Sequence, residues 1–323
     1  MPLLLSETEL APLFKDPMAM DGLLDRIEES MRAFNDGAVA GQVRLETSLA
    51  DRNKKYRITT SAVPRAGQGM RINALFRGAK DSYFILLFDE ERGDLLAMVA
   101  GAALNVWRTG APAGVACRHL APPGADTLGL IGSGRQARGQ ILAISRALPM
   151  LKKVKVFSPT PAHRQDFARE MNGWLGIDVV AVDDARVAAE NAPIVSVATS
   201  SRATVIEPQW IRPGALLVSI TSGQLPRETI KNSRVIVSWK EEMLGGEAPR
   251  QPYAAMIVDG SWSADKIAGE LGDVLLKKIP ARVKENETIV FESVGMSLWD
   301  TTATAWAYQW ALANGIGMQF SLG

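Results

Sequence analysis

The chain has 323 residues, with 36 lysines and arginines, 35 aspartates and glutamates, and a formal charge of +1 at neutral pH. This length suits two domains of ordinary size, and the balanced charge provides no field that would attract nucleic acid or an anionic membrane. Hydrophobic residues make up 47% of the sequence in scattered runs, none of which reaches the roughly 18 residues that a membrane span requires. The composition therefore predicts a soluble α/β protein.

Cysteine and histidine are scarce. Cys117 is the single cysteine, which excludes an internal disulfide and fits a reducing compartment. His119 and His163 are the two histidines, so a zinc site would depend on carboxylates, and no metal is expected. The first residues lack the basic segment of a signal peptide and their apolar run is too short for one, so a cytoplasmic location is expected.

The first hundred residues predict helices followed by an antiparallel sheet. Ser6 and Glu9 have the spacing of a capping box, and residues 19–34 place apolar side chains on one face at helical spacing. Between residues 42 and 103, strand-like runs alternate with charged or glycine-containing turns. Residues 89–99 have the pattern of a hairpin with a glycine in its turn.

From residue 125 onward, apolar strands alternate with helices. The alternation starts with TLGLIG and KKVKVFS, each followed by a helix, and continues to SRVIVS. It indicates βαβ units and a parallel sheet. The Pro-Pro-Gly sequence at residues 122–124 cannot continue a helix and marks the clearest domain boundary. Residues 262–291 give no clear assignment, and residues 300–317 predict an alanine-rich helix.

A glycine-rich turn joins the first of these strands to its helix. Gly132 allows the tight turn, Gly134 lets the backbone approach a pyrophosphate, and Ala137 lets the helix pack closely on the sheet. The start of the helix, at Arg135 and Gln136, then faces the phosphates. Because the motif follows a strand, opens a helix and precedes a second strand, it predicts dinucleotide binding. The alternative is a purely structural turn.

The position that reads the adenosine ribose lies about 20 residues after this motif and carries no acid. An acid would bind the ribose 2′-hydroxyl and repel a 2′-phosphate. Here the second strand is followed by Ser158, Thr160, His163 and Arg164, whose hydroxyl and cationic groups suit a phosphate. The sequence therefore favours NADP(H) over NAD(H), with the alternative that Arg164 is an ordinary solvated helix residue.

The chain resembles the ornithine cyclodeaminase/μ-crystallin family over nearly its whole length. The resemblance lies in LLFDEERGDLLAMV (86–99), WRTGAPAGVACRHLA (107–121), LIGSGRQA (130–137), APIVSVATSS (192–201) and ETIVFESVGMSLWD (287–300). It implies an α/β fold with a central Rossmann-type parallel-sheet domain at residues 121–291. It also implies a discontinuous α+β domain, residues 1–120 and 292–323, that binds substrate and forms a homodimer.

The resemblance implies roles for individual residues. Arg108, in the Arg-Thr segment, would bind the substrate carboxylate through its guanidinium fork, assisted by Arg44. The alternative is that Arg108 caps the following helix or pairs with an acid. Thr109 and Gly110 would open a helix beside the cofactor.

Two further segments would contact the dinucleotide. Ala198, Thr199 and Ser200 would lie near it at the end of a strand. Val294 and Gly295 would approach the nicotinamide side, although the Ser-Val-Gly sequence equally fits a plain helix start.

The sequence departs from the family pattern at two positions. Arg71 stands where the family commonly has a lysine, and arginine is a poor proton donor because its guanidinium keeps its proton in proteins. Arg71 could bind a second carboxylate or polarise an oxygen. Lys80 could replace the lysine, with the alternative that it is a surface lysine. Gly223 stands where cyclodeaminases have an aspartate that handles protons, and glycine has no side chain with which to transfer one.

These features predict an NAD(P)H-dependent enzyme that reduces the carbon–nitrogen double bond of a small imino acid, or an amino acid dehydrogenase with the same chemistry. Arg71 and Arg108 are its catalytic candidates. Two alternatives are an ornithine cyclodeaminase-type ammonia lyase, which Gly223 disfavours, and a NADPH-dependent ligand-binding protein with little turnover. No nucleic-acid or membrane partner is expected.

Overall fold

The computed structural model describes residues 1–48, 54–76, 82–201, 203–245 and 249–321. The chain forms two compact units: unit 1 comprises Met1–Thr109 and Gly295–Gly323, and unit 2 comprises Gly110–Val294. One sheet is largely antiparallel and the other is parallel and accompanied by helices. The predicted α/β fold class is therefore confirmed.

The described residues form helices and strands in three parts of the chain. The first part contains β1 (Leu3–Leu5), α1 (Glu7–Lys15), α2 (Ala19–Asn35), β2 (Ala40–Ser48), β3 (Lys54–Val63), β4 (Gly67–Phe76), β5 (Ser82–Phe88), β6 (Leu95–Ala100) and α3 (Ala102–Leu120). The middle contains β7 (Thr127–Ile131), α4 (Arg135–Ala147), β8 (Lys153–Phe157), α5 (Pro161–Leu175), β9 (Asp178–Ala181), α6 (Ala185–Ala189), β10 (Ile194–Val197), β11 (Leu216–Ser219), α7 (Arg227–Lys231), β12 (Arg234–Val237), α8 (Lys240–Gly245), α9 (Tyr253–Val258), β13 (Ile267–Glu270), α10 (Leu271–Leu275) and β14 (Ile289–Glu292). The last part contains α11 (Ser297–Ala313) and β15 (Met318–Gln319). In the described ranges, no helix combines the length and the apolar character needed to cross a bilayer.

Unit 1 is built on a sheet with the strand order β15-β1-β6-β5-β4-β3-β2 among the described residues. Its strands pair antiparallel, except that β1 and β6 are parallel. Helix α1 begins with the predicted capping box, in which the Glu9 carboxylate accepts a hydrogen bond from the Ser6 N–H over 2.8 Å. The predicted helices and antiparallel sheet are confirmed, whereas β1 and β15 are too short to show alternation in the sequence.

Helix α11 packs across one face of this sheet. Thr301 Oγ1 lies 2.6 Å from Ser61 Oγ, and a Cβ on Gly69 would lie 2.1 Å from Thr301 Oγ1. Trp306, on the same helix, stacks on Trp107 with 5.7 Å between the ring centroids. The helix therefore closes the core of unit 1, and only glycine fits at residue 69.

Unit 2 is built on a parallel sheet with the order β13-β12-β14-β11-β10-β7-β8-β9 among the described residues. As predicted, its apolar strands alternate with helices, and β10 and β11 are buried along their whole length. From β7 the chain continues to β8 on one side, whereas β10 lies on the other side. The strand order therefore reverses at β7, which opens a crevice at the carboxyl ends of β7 and β10.

Strand β14 was not predicted from the sequence, although it lies inside the sheet, between β11 and β12. Its four residues, Ile289–Glu292, are all buried. A short apolar run that ends in a buried glutamate shows neither alternation nor helical spacing. Only the pairing partners on both sides fix it as a strand.

Helix α3 corrects the prediction that Thr109 and Gly110 open a helix. It begins at Ala102, where the Glu7 carboxylate accepts hydrogen bonds from the N–H groups of Ala102 at 2.6 Å and Ala103 at 3.1 Å. Because this capping acid is remote in sequence, no local pattern marks the helix start.

The division between the units lies within α3, between Thr109 and Gly110, whereas the sequence placed the boundary near residue 120. A Cβ on Gly110 would lie 2.1 Å from the Gly139 carbonyl oxygen. The second half of α3 therefore packs closely on α4, which explains why it belongs to unit 2. The second boundary, before Gly295, lies close to the expected residue 292.

Candidate functional site

A cleft of about 500 Å³ lies at the carboxyl edge of the unit 2 sheet, where the strand order reverses. The residues that line it follow the ends of β7, β8, β10 and β11, and they are Gly132, Ser133, Gly134, Arg135, Gln136, Ser158, Pro159, Thr160, His163, Ala198, Thr199, Ser200, Ile220 and Thr221. Open α/β sheets bind ligands in this kind of crevice. The structure thus brings together most of the residues that the sequence assigned to the dinucleotide.

The glycine-rich turn has the geometry of a phosphate cradle. Gly132 has a φ of +117°, and a Cβ there would lie 2.3 Å from the Ala198 carbonyl oxygen. Gly134 is the N-cap of α4, it has no side chain with which to cap the helix, and a Cβ there would meet no atom within 4 Å. The N-terminus of α4 therefore borders the cleft at Gly134, Arg135 and Gln136, which is the arrangement that binds a pyrophosphate.

Gln136 supports a polar ligand in this cleft. Its Oε1 is buried and has no hydrogen-bond partner among the residues that the structure describes. Leaving such an atom unsatisfied costs about 1–3 kcal/mol, so a ligand hydroxyl or amide would stabilise it. Ala137 does not line the cleft, and its complete burial fits the predicted packing of helix on sheet.

The residues beyond β8 give the cleft a hydroxyl-rich end. Ser158, Thr160 and His163 line it, and no acidic side chain is among the described lining residues. The Ser133 hydroxyl donates to Ser158 Oγ over 2.8 Å, which links the glycine-rich turn to the end of β8.

Arg164 does not line the cleft, in contrast to its predicted contact with the cofactor. Its side chain is 7% exposed, so it is not a solvated helix residue either. Its Nη1 donates to the Ser158 carbonyl oxygen over 2.9 Å, and its Nη2 pairs with Asp183. From the first turn of α5 the guanidinium folds back under the loop after β8, where it satisfies backbone carbonyls. Arg164 therefore positions the loop that carries Ser158.

Two residues that the sequence did not single out hold the cleft loops. Arg138 Nη1 donates to the carbonyl oxygens of Ser133 and Gly134, over 3.2 Å in each case. Gln224 is fully buried, and its Nε2 donates to the Thr199 carbonyl oxygen over 2.7 Å. Neither residue belongs to a local motif, so no sequence signal marks it.

A buried ion pair lies beneath the ends of β11 and β14. Arg250 Nε is 2.6 Å from Glu292 Oε2, and the Tyr253 hydroxyl donates to Glu292 Oε1 over 3.1 Å. Arg250 Nη2 also donates to the Ser219 carbonyl oxygen over 3.0 Å. Burial raises the pKa of Glu292, and the nearby Arg250 guanidinium opposes that rise. The network ties the two strand ends together.

Unit 1 contains a cluster of arginines around a buried aspartate. Arg108 Nε lies 2.9 Å from Asp300 Oδ1, and Arg71 Nη1 donates to the two Asp300 oxygens over 3.2 and 3.0 Å. The side chains of Arg71, Arg108 and Asp300 are only 13%, 10% and 8% exposed. The alternative that Arg108 pairs with an acid is therefore observed. Asp300 was not predicted as a site residue, although it is the one charged residue of α11.

Asp300 and two asparagine side chains accept hydrogen bonds from these arginines but do not use all of the guanidinium donors. Arg108 Nη2 donates to Asn105 Oδ1, and Arg71 Nε donates to Asn73 Oδ1, over 2.6 Å in both cases. Arg108 Nη1 and Arg71 Nη2 have no hydrogen-bond partner in the described part of the chain. Both groups can therefore bind an anionic ligand.

Arg44 belongs to the same cluster. Its Nη2 donates to the Gly295 carbonyl oxygen over 3.4 Å. A Cβ on Gly295 would lie 3.9 Å from both Arg44 Nη2 and Arg108 Nη1, so the two guanidinium groups face the same small space. Burial lowers the pKa of Arg108, and the charges of Arg71 and Arg44 lower it further, against the opposing effect of Asp300. Arg108 is therefore a nearly buried cation whose surroundings include two other guanidinium groups and the Asp300 carboxylate.

Val294 does not line the cleft. Its N–H donates to Ser238 Oγ, and its carbonyl oxygen accepts from the same hydroxyl, over 2.9 Å in each case. Helix α11 begins at Ser297, two residues after Gly295, so the Ser-Val-Gly sequence precedes the helix.

Gly223 adopts a conformation that disfavours the aspartate of cyclodeaminases. Its φ is +89°, and its N–H donates to the Gln251 carbonyl oxygen over 2.7 Å. An aspartate with this φ would be strained. Lys80, the other candidate for a missing polar group, lies outside the described residues.

Unit 2 has a cradle for a pyrophosphate at the switch point of its parallel sheet, and unit 1 has nearly buried arginines that can bind a carboxylate. These two features are typical of dinucleotide-dependent oxidoreductases that act on small organic acids. The chain belongs to the ornithine cyclodeaminase/mu-crystallin family, whose sequence profile matches residues 14–315.

Its relatives include several reductases. The chain is 30% identical over 239 residues to a Delta(1)-pyrroline-2-carboxylate reductase of Bacillus cereus, and the match covers 72% of each chain. It is 27% identical over 229 residues to the ketimine reductase mu-crystallin of Rattus norvegicus, and this match covers 69% of this chain and 68% of the relative. The solved structure of Thermococcus litoralis Delta(1)-pyrroline-2-carboxylate reductase, in complex with NADH and L-proline, matches with a TM-score of 0.89 and 28% identity over 98% of this chain and 100% of that chain.

These findings confirm three predictions made from the sequence: the family, an enzyme, and an oxidoreductase that acts on the carbon–nitrogen bond of imino or amino acids.

Proposed function

We propose that this protein is an imine reductase that uses NADPH in preference to NADH and acts on a small imino acid. The observation that carries the proposal is the arginine cluster of unit 1, because unused guanidinium donors in a nearly buried setting select a carboxylate. When bound, the reduced nicotinamide would supply a hydride to the imine carbon, while the π electrons of the C=N bond move to nitrogen, which takes a proton from water.

Arg108 and Arg44 bind the α-carboxylate of the substrate in this proposal. Their Nη1 and Nη2 atoms face the space that Gly295 leaves open. Arg71 holds or polarises the rest of the substrate through its unused Nη2. Asp300 fixes the guanidinium groups of Arg71 and Arg108, so that they do not need to reorganise when the substrate binds.

The cofactor preference rests on the hydroxyl-rich end of the cleft. Ser158 and Thr160 line it, no acidic side chain that would repel a 2′-phosphate is among the described lining residues, and His163 offers a third polar group. Gly132 and Gly134 supply the cradle for the pyrophosphate, and Ala198, Thr199 and Ser200 line the same cleft.

Oxidation of reduced nicotinamide tests the proposal. The purified protein is mixed with NADPH or NADH and a panel of cyclic imino acids and of 2-oxo acids with ammonia or methylamine. We expect turnover with at least one imine and a higher kcat/KM with NADPH. Tight NADPH binding without turnover on the whole panel would instead indicate the ligand-binding alternative, for which the lack of a proton-transferring side chain at Gly223 would be the reason.

We also propose that the protein is a homodimer. The sheet face opposite α11 carries apolar side chains: Leu45 is 59% exposed and Tyr56 is 41% exposed, and Ile58, Ile72 and Phe84 on the same face are only partly buried. An uncovered apolar sheet face typically marks an association surface. Light scattering after size exclusion should give twice the chain mass of 34.9 kDa, and a monomer would refute this part of the proposal.

A further inference from the structure

A buried threonine hydroxyl on β3 has no hydrogen-bond partner. Thr59 is only 6% exposed, and its Oγ1 makes no hydrogen bond to any residue that the structure describes. The serine two residues further along the same face of β3 differs, because Ser61 Oγ lies 2.6 Å from Thr301 Oγ1. An unsatisfied buried hydroxyl costs free energy, so a polar group supplied by a ligand would stabilise Thr59.

The register of the sheet places Thr59 between two of the arginines. Thr59 pairs with Arg44 on β2 and with Arg71 on β4. Directly paired residues point to the same face of a sheet, with about 4.5–5.5 Å between their Cβ atoms. This face is the one that α11 covers, because Arg71 donates to Asp300 of that helix. The Thr59 side chain therefore leaves the sheet between those of Arg44 and Arg71.

The Thr59 hydroxyl offers a kind of group that the arginines lack. A guanidinium has only N–H donors, whereas a hydroxyl oxygen can accept a hydrogen bond. The Asp300 carboxylate and two asparagine side chains also accept, but each already accepts from an arginine. Among these described acceptors, Thr59 Oγ1 is the one that no donor uses. It can therefore take an N–H or O–H of a ligand.

We infer that Thr59 is a substrate-binding residue whose Oγ1 accepts a hydrogen bond from the N–H of the imine nitrogen. This inference rests on the proposed reductase function and adds a residue to its site. The carboxylate and the nitrogen of an imino acid are attached to the same carbon. A group that binds the nitrogen must therefore lie beside the groups that bind the carboxylate, as Thr59 lies beside Arg44.

Thr59 transfers no proton in this arrangement. The hydride and its electron pair go to the imine carbon, the π electrons of the C=N bond move to nitrogen, and the proton on nitrogen comes from water. The hydroxyl only orients the nitrogen, and it thereby holds the imine carbon in one position for hydride transfer.

The stability of the free protein gives the first test, because valine has the shape of threonine without its hydroxyl. Thr59→Val should have a melting temperature equal to or above that of the unsubstituted protein, since the lost hydroxyl has no partner. The matched control, Thr301→Val, removes a hydroxyl bound to Ser61 and should lower it. A lower melting temperature in Thr59→Val would show that water or another group already satisfies the hydroxyl, and would overturn the inference.

Two ligands of one shape test the contact itself. N-methylglycine and butanoate each carry a carboxylate on a chain of the same length, but N-methylglycine has N–H groups where butanoate has a methylene. With NADP⁺ present, N-methylglycine should raise the melting temperature more than butanoate does. Thr59→Val should abolish or reverse this difference, and Thr59→Ser, which keeps the hydroxyl, should retain it. No difference in the unsubstituted protein, or the same difference in Thr59→Val, would refute the contact.

Turnover separates this inference from the proposed function. With NADPH and the imine that is reduced fastest, Thr59→Val should lower kcat/KM about tenfold or more, the effect of one hydrogen bond to a charged group, and Thr59→Ser should recover most of the loss. The Kd for NADPH should not change in either variant. If Thr59→Val reduces the imine as well as the unsubstituted protein does, the reductase function stands and the inference fails. If no imine is reduced but the difference between the two ligands depends on the hydroxyl, the reductase function fails and the contact stands.

Discussion

The two units offer anions different kinds of binding groups. Unit 2 offers the backbone, with a tight turn at Gly132 and the start of α4 after Gly134 beside the cleft. Unit 1 uses long side chains, the guanidinium groups of Arg71 and Arg108 held by Asp300. A backbone cradle suits a pyrophosphate that is common to many enzymes, whereas a cluster of side chains changes with each substitution. The difference suggests that unit 2 preserves a cofactor and unit 1 determines the substrate.

The largest effect on stability is expected when the Asp300 carboxylate, which holds the arginine cluster of unit 1, is replaced. Asp300→Asn leaves two nearly buried guanidinium groups without a counter-charge, so the free energy of unfolding should fall by about 3 kcal/mol. Urea denaturation followed by tryptophan fluorescence measures it, because Trp107 and Trp306 lie in the same unit.

Asp94→Asn is the control for this substitution. Asp94 pairs with Arg92 at the surface and is 62% exposed, so its loss should cost less than about 0.5 kcal/mol. Equal effects of the two substitutions would show that the cluster of unit 1 is not a buried, preorganised site.

Substitution of two glycines in unit 2 should separate an effect on stability from an effect on cofactor binding. Gly132→Ala places a Cβ 2.3 Å from the Ala198 carbonyl oxygen at a φ of +117°, so both the melting temperature and NADPH binding should fall. Gly134→Ala meets no protein atom within 4 Å and should leave the melting temperature unchanged. Its methyl group nevertheless enters the cradle, and the Kd for NADPH should rise about tenfold or more. An unchanged Kd in Gly134→Ala would contradict phosphate binding at this turn.

A conservative substitution in unit 1 should weaken substrate binding and leave cofactor binding unchanged. Arg108→Lys keeps the charge but loses the guanidinium fork, so the KM for the imino acid should rise about tenfold to a hundredfold, the effect of one or two charge-assisted hydrogen bonds. The Kd for NADPH should not change. Arg118→Lys, at an exposed position of the same helix, is the matched control. A rise in the Kd for NADPH in Arg108→Lys would break the division of roles between the units.

The same contrast explains which features the sequence could predict. The glycine-rich turn, the alternation of strands and helices, and the Ser6–Glu9 capping box are local patterns, and all were found. Asp300 meets Arg71 from 229 residues away, and the start of α3 depends on Glu7 from another segment. No spacing in the sequence encodes such pairs.

Family resemblance identified the three arginines, but it did not identify the aspartate that holds two of them. Arg164 shows a different limit. Its position after β8 pointed to the cofactor, whereas the direction of its side chain, under the loop, depends on the carbonyl groups around it.

The smallest effect expected concerns the choice between NADPH and NADH. Ser158→Asp places a carboxylate beside the Ser133 hydroxyl, where it can accept the same hydrogen bond and would repel a 2′-phosphate. The ratio of kcat/KM for NADPH over NADH should fall about tenfold, which corresponds to roughly 1.4 kcal/mol.

Arg164→Gln is the informative companion to Ser158→Asp. Because Arg164 holds the loop through its carbonyl oxygens, its loss should weaken the binding of NADPH and of NADH by similar factors. A selective loss of NADPH in Arg164→Gln would show that the guanidinium reaches the 2′-phosphate after all, and that unit 2 also recognises an anion with a side chain.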